Sequence, residues 1–115
     1  MIVTIVLPAL SGRRAILNAA AKAAPNDPRV AFQLGRAYLA AKDYESGRPH
    51  LKFAADQGDA GGQNALGILY ATGRGGLAQD AREAVRLYKL AADQGNAIAQ
   101  AALERLTKWR AIPPQ

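Results

Sequence analysis

Leu34 and Tyr38 stand four positions apart, and so do Leu66 and Tyr70. That spacing puts two side chains on one face of a helix. Start and stop signals frame these stretches. Asp27-Pro28 offers an N-cap followed by proline at the first helical position. Asp80-Ala81-Arg82-Glu83 is a DxxE capping arrangement in which each end can satisfy the other's free N–H. Gly58 and Gly95 follow helical runs and suit the left-handed position after a helix, and Asp59 and Asn96 can cap what comes next. The pattern predicts six short helices near 12–24, 28–41, 44–57, 60–72, 81–94 and 97–110, antiparallel to their neighbours. Pro49 falls inside the third, where it removes an N–H, so a kink or a late start is expected there. Ile2 to Leu7 alone is rich in β-branched residues.

The pattern repeats. AADQG occurs at Ala54 and again at Ala91, and LGxxY at Leu34 and again at Leu66. Asp43 to Ala54 and Asp80 to Ala91 are both eleven steps, and Gly58 to Leu66 and Gly95 to Leu103 are both eight. One interval differs: Tyr38 to Asp43 is five steps, Tyr70 to Asp80 is ten. The extra residues fall in Gly73-Arg74-Gly75-Gly76 and its flanks, which reads as a connector of variable length. Gly35 and Gly67 sit beside the core leucines at equal places in two helices. Mid-helix glycine costs about 1 kcal/mol relative to alanine, which a close helix crossing offsets. Ala54, Ala55, Ala91 and Ala92 are expected to form the facing surface, with Tyr38 and Tyr70 as core plugs.

Composition narrows the chemistry. The 115 residues suffice for one domain. There is no cysteine and one histidine, His50, so neither a disulfide framework nor a multi-histidine metal site is available. His50 is expected at a helix surface or helix–helix contact. Ser11 and Ser46 read as caps or surface residues, and Asp56 and Asp93 occupy equivalent repeat positions, which favours a structural role. No catalytic residue and no cofactor site is predicted. The glycine bend lacks the lysine and the preceding strand of a phosphate loop. The net charge is +6, which favours acidic partners. The charges are scattered, so nucleic-acid binding is a weaker alternative. No run reaches the length of a membrane span. Met1 to Leu10 is apolar, but its arginines follow the apolar core instead of preceding it, unlike a signal peptide. Cytoplasm and periplasm both stay open.

Leu66, Gly67, Tyr70, Gly73, Gly75, Asp80, Ala84, Ala91, Ala92 and Gly95 together resemble the Sel-one-like repeat (SLR), a relative of the tetratricopeptide repeat. The stretch from Pro28 to Gly58 lacks the glycine turn and is closer to a plain tetratricopeptide unit, with Gly47 where the next unit has Ala84. The stretch from Asn96 keeps Leu103 but carries Glu104 and Thr107 in place of glycine and tyrosine, as in a terminal cap. The resemblance implies an all-α fold, a right-handed α-solenoid. Its units are a half unit at 13–27, full units at 28–58 and 59–95, and a cap at 96–110. An apolar arm or remnant at 1–12 and a tail at 111–115 flank them.

It also implies a non-catalytic interaction module whose first helices line a concave groove. Helical spacing then selects the groove-facing residues. We expect Arg29, Phe32 and Arg36 from the second helix, Asn64 and Ile68 from the fourth, and Arg105, Lys108 and Trp109 from the last to meet a protein or peptide, acidic in character. A repeat tail of a larger protein whose enzymatic domain lies elsewhere is the alternative, and solenoid ends can self-associate.

Overall fold

The structure, a computed structural model, describes residues 9–110, without the side chains at 9–11, 13, 107, 109 and 110. Six helices occupy them: α1 (Ala9–Ala23), α2 (Pro28–Ala40), α3 (Tyr44–Asp56), α4 (Ala60–Thr72), α5 (Ala81–Asp93) and α6 (Ala97–Arg110). Each packs on the next in chain order, and α2 also touches α4. This is an α-solenoid with no strand among the described residues. The β-branched stretch at 2–7, residues 1–8 of the expected arm or remnant and the tail at 111–115 lie outside those residues, while residues 9–12 of that arm belong to α1. Helix α1 starts at Ala9, earlier than expected, because Ser11-Gly12 lies within it. Flanking alanine and leucine outweigh the weak propensity of two residues.

Aspartate opens four helices. The carboxylates of Asp27, Asp43, Asp59 and Asp80 accept from the N–H groups of Arg29 (2.9 Å), Ser46 (3.3 Å), Gly62 (2.8 Å) and Glu83 (3.1 Å). Asn96 does the same for Ala99 at 2.9 Å. The DxxE box at Asp80 is only half formed. The Asp80 N–H donates to the Tyr70 carbonyl at 2.9 Å, so Glu83 is released to receive Arg86 at 2.9 and 2.6 Å.

Three helices end alike. After α3, Gly58 N–H donates to Ala55 O and Asp59 N–H to Ala54 O; after α5, Gly95 and Asn96 repeat this on Ala92 and Ala91. Gly58 and Gly95 carry φ of 91° and 92°, the left-handed conformation this closure requires. After α2 the same closure runs through Lys42, at φ 63°, a residue with a Cβ. Helix α3 begins at Tyr44, so Pro49 causes no late start. Glu45 and Pro49 are both exposed, which leaves the carbonyl lacking its donor within reach of water.

Helix crossings are set by small residues. An added Cβ at Gly35 would stand 2.6 Å from Leu51 Cδ2, and one at Gly47 3.0 Å from the Gly35 carbonyl oxygen. At Gly67 it would meet the Tyr88 ring at 2.9 Å. The partners of Gly35 and Gly67 are therefore Gly47, Leu51, Ala84 and Tyr88, not the alanine rows at 54–55 and 91–92. Those alanines point onward to the next repeat: a Cβ at Gly62 would fall 2.6 Å from Ala54 Cβ, and Ala91 clusters with Ala99. One core gathers Leu51, Ala55, Ala65, Leu66, Leu69 and Leu87, the other Ala84, Tyr88, Ala91, Ala99 and Ala102. Tyr70 packs against both yet is half-buried, as is Tyr38, so neither is a core plug. The largest fully enclosed side chains are Leu34, Leu51 and Leu69.

The glycine bend does more than connect. Gly73, Gly75 and Gly76 all have positive φ, and the turn folds back on the preceding unit. Arg48 donates to the Gly75 carbonyl at 2.8 Å. The Arg74 guanidinium lies 4.9 Å from the Tyr44 ring centroid and bonds the Tyr44 hydroxyl at 3.2 Å. Gly75 is buried, and a Cβ there would press on the Tyr44 carbonyl at 3.1 Å. The expected spacer is a staple between units.

Candidate functional site

Positions in the first helices of successive units, α2, α4 and α6, correspond through the repeat. Arg29, Gly61 and Ile98 are equivalent, then Phe32, Asn64 and Ala101, then Arg36, Ile68 and Arg105. Helices α2 and α4 meet directly, for the Phe32 ring covers Gly61, where a Cβ would come within 2.7 Å of it. Phe32 is thus half-buried, and the Arg36 guanidinium lies 5.8 Å from its centroid. Arg29, Arg36, Ile68, Arg105 and Lys108 are exposed, with Ile68 showing 37% of its surface. Ile98, equivalent to Arg29 and Gly61, shows 64%.

Asn64 does not belong with them. It is only 7% exposed, and its Oδ1 is buried without a hydrogen-bond partner. Helical spacing alone puts it on the open face, because a wheel carries no information on burial by other parts of the fold. The Trp109 side chain lies outside the described ones.

Charge is sorted between helices. Asp27, Asp43, Asp59 and Asp80 serve as caps, Glu45 and Asp56 lie on α3, Glu83 and Asp93 on α5, and Glu104 on α6 where Gly67 stands in α4. Helix α4 holds no charged residue at all. The ion pairs among the described residues are local: Arg29–Asp27 at 3.8 Å, Lys52–Asp56 at 3.1 Å and Arg86–Glu83 at 2.6 Å. Such exposed pairs contribute little to stability. Arg36, Arg105 and Lys108 take part in none of them. Arg36, Ile68 and Arg105 thus hold equivalent places on the three first helices and are exposed, and neither cation joins an ion pair among the described residues.

The titratable groups elsewhere have structural explanations. The hydrogen bond from Arg86 holds the Glu83 carboxyl below its ordinary range. Burial pushes the Tyr88 phenol up, and the charge of Arg105 works against this. The His50 ring lies parallel to Tyr38 with centroids 5.7 Å apart, and Arg14 sits 5.2 Å from the Tyr38 centroid. Burial at this contact between α2 and α3 lowers the His50 pKa. Among the described residues no group of three or more acidic or histidine side chains is placed to hold a metal ion. No described helix is long and apolar enough to cross a membrane.

Antiparallel helical hairpins stacked through glycine and alanine seams define a helical-repeat protein. The Sel1 repeat matches residues 28–59 and 60–96, and the chain belongs to the Sel1 repeat family. A Sel1 repeat protein from Oxalobacter formigenes, known from a crystal structure, is similar over 86% of this chain and 42% of its own, with 28% identity and a TM-score of 0.74. The chain thus spans less than half of that protein. No curated protein matches it. Sel1 repeats are generally protein-interaction modules, non-catalytic as a family.

Proposed function

We propose that the face formed by α2, α4 and α6 is the concave side of the solenoid and binds an acidic segment of a partner protein. One observation supports this reading: Arg36, Arg105 and Lys108 are exposed and take part in none of the ion pairs among the described residues. An unpaired arginine is a ready fork for a carboxylate. Ile68 and Ile98 supply exposed apolar area between the cations, the combination of anchor and charged rim found in binding patches. Arg29 and Phe32 extend the face on the α2 side, and Trp109 belongs to it by register. Asn64, being covered, does not itself meet the partner.

An array of synthetic decapeptides graded in net charge tests the proposal. The acidic members are expected to bind, and Arg36→Glu combined with Arg105→Glu is expected to abolish their binding without lowering the melting temperature. Equal binding by that double variant refutes the groove assignment. Preferential retention of single-stranded nucleic acid, falling steeply with salt, favours the alternative of a weak nucleic-acid binder.

A further inference from the structure

The places between one first helix and the next correspond through the repeat but are filled differently. Between α2 and α4 the equivalent places hold Leu39, Tyr44 and Leu51, with Leu51 entirely enclosed and the other two packed on the same core. Between α4 and α6 the corresponding residues are Ala71, Ala81 and Tyr88. Losing the bulk of a leucine and a tyrosine leaves open space. A cavity of about 250 Å³ lies among Ala71, Tyr88, Ala102, Arg105 and Leu106. A neighbouring one of about 470 Å³ shares Ala71 and Leu106 with it.

We infer that the smaller cavity is an anchor socket taking one large apolar side chain of the partner segment, with a neighbouring carboxylate of that segment on Arg105. This rests on the proposed binding face and names the motif it selects: an aliphatic or aromatic residue beside a glutamate or aspartate. The walls are the methyls of Ala71 and Ala102, the Leu106 side chain and the Tyr88 ring. Among the described residues the one formal charge lining it is Arg105, exposed and in none of the ion pairs found there. A purely apolar guest would leave that cation bare, and a purely acidic one would leave the socket empty. An apolar residue flanked by an acid satisfies both. Arg105 lines this space and also belongs to the proposed binding face, so a segment held on Arg105 presents side chains to it. Burying such a side chain while the rest of the segment is unchanged is expected to be worth about tenfold in affinity.

The test uses two fluorescein-labelled nonapeptides that alternate glutamate and serine around a central leucine in one and a central serine in the other, followed by fluorescence anisotropy. The full chain is expected to bind the leucine peptide about tenfold more tightly. Ala71→Leu, which copies the residue at the equivalent place Leu39, is expected to erase that preference and leave the serine peptide's affinity unchanged. Should Ala71→Leu fail to fold, the methyl resonances of Ala71, Ala102 and Leu106 in the unaltered chain serve instead. They are expected to shift with the leucine peptide and not with the serine one. If both peptides bind and the preference is absent or survives Ala71→Leu, the socket is not the anchor, although the binding face stands. If neither binds, the face itself fails. A leucine preference that emerges only on removing residues 111–115 assigns the socket to the chain's own tail. Concentration-dependent dimerisation abolished by Ala71→Leu assigns it to a second copy. Either result overturns the inference.

Discussion

Replacing glycine by alanine in a helix ordinarily stabilises by about 1 kcal/mol, because alanine loses less backbone freedom on folding. Gly62 should do the reverse. Its added Cβ would stand 2.6 Å from Ala54 Cβ and 2.8 Å from the Ala55 backbone nitrogen, whereas carbon atoms rest at about 3.5–4.0 Å. Roughly 1 Å must open between α3 and α4. The atoms in the way are a methyl on a buried helix and main chain, so no side chain can swing aside. Overpacking of this kind costs about 1–3 kcal/mol. The rigid surroundings place Gly62 in the upper part of that range, and after the gain from alanine the net loss is about 1–2 kcal/mol. Gly12, inside α1, has no atom of the described residues within 4 Å of its would-be Cβ, and Gly12→Ala should give the ordinary gain of about 0.5–1 kcal/mol. Thermal unfolding followed by circular dichroism reads both, at about 4 °C per kcal/mol for a domain near this size. Gly62→Ala melting at or above the parent would refute the argument that backbone approach sets the α3–α4 seam.

Three further changes follow from particular contacts. Lys42→Gly relieves a left-handed non-glycine residue (φ 63°). After the greater freedom of unfolded glycine is subtracted, it should raise stability by about 0.5–1 kcal/mol, measured by urea denaturation. Asn64→Ala removes a buried carbonyl oxygen that has no partner and matches the alanine found at the equivalent Ala101. A gain of about 1 kcal/mol in the same assay is expected. Burial lowers the His50 pKa in the folded chain below its unfolded value of 6.5, so folding favours the neutral ring. That contribution is complete above pH 6.5 and is lost as pH falls through the folded pKa. Melting temperatures taken from pH 7.5 down to 5 should decline, and His50→Phe, which preserves the stack on Tyr38, should flatten the decline.

Helices were readable because their ends carry chemistry of their own. Asp27, Asp59, Asp80, Gly58 and Gly95 mark boundaries through side-chain acceptors and left-handed backbone, and the structure uses each as a boundary. Lys42 gave no such signal, since nothing in a lysine announces a left-handed turn. The partners of Gly35 and Gly67 were hidden for a different reason. A helix wheel says which residues share a face, but not whether that face turns to its own hairpin partner or to the next unit. Asn64 was misplaced by the same blindness. The staple joining Arg48 and Tyr44 to the glycine bend spans 27 and 30 residues in sequence, and counting spacings reveals an insertion without saying what it touches. The socket was latent in the register: Leu39 against Ala71 and Tyr44 against Ala81 can be compared once the repeat is aligned, but only coordinates show the room those exchanges create.

Because the bend of the second unit grips the first, the unit of autonomy in this chain is larger than one hairpin. A segment cut at the boundary near residue 59 would strip the lid from Tyr44 and leave the guanidinium of Arg48 in water. Grafting or transplanting these modules therefore has to carry the downstream arch along with the hairpin it clasps, or the donor piece arrives with an unfinished edge.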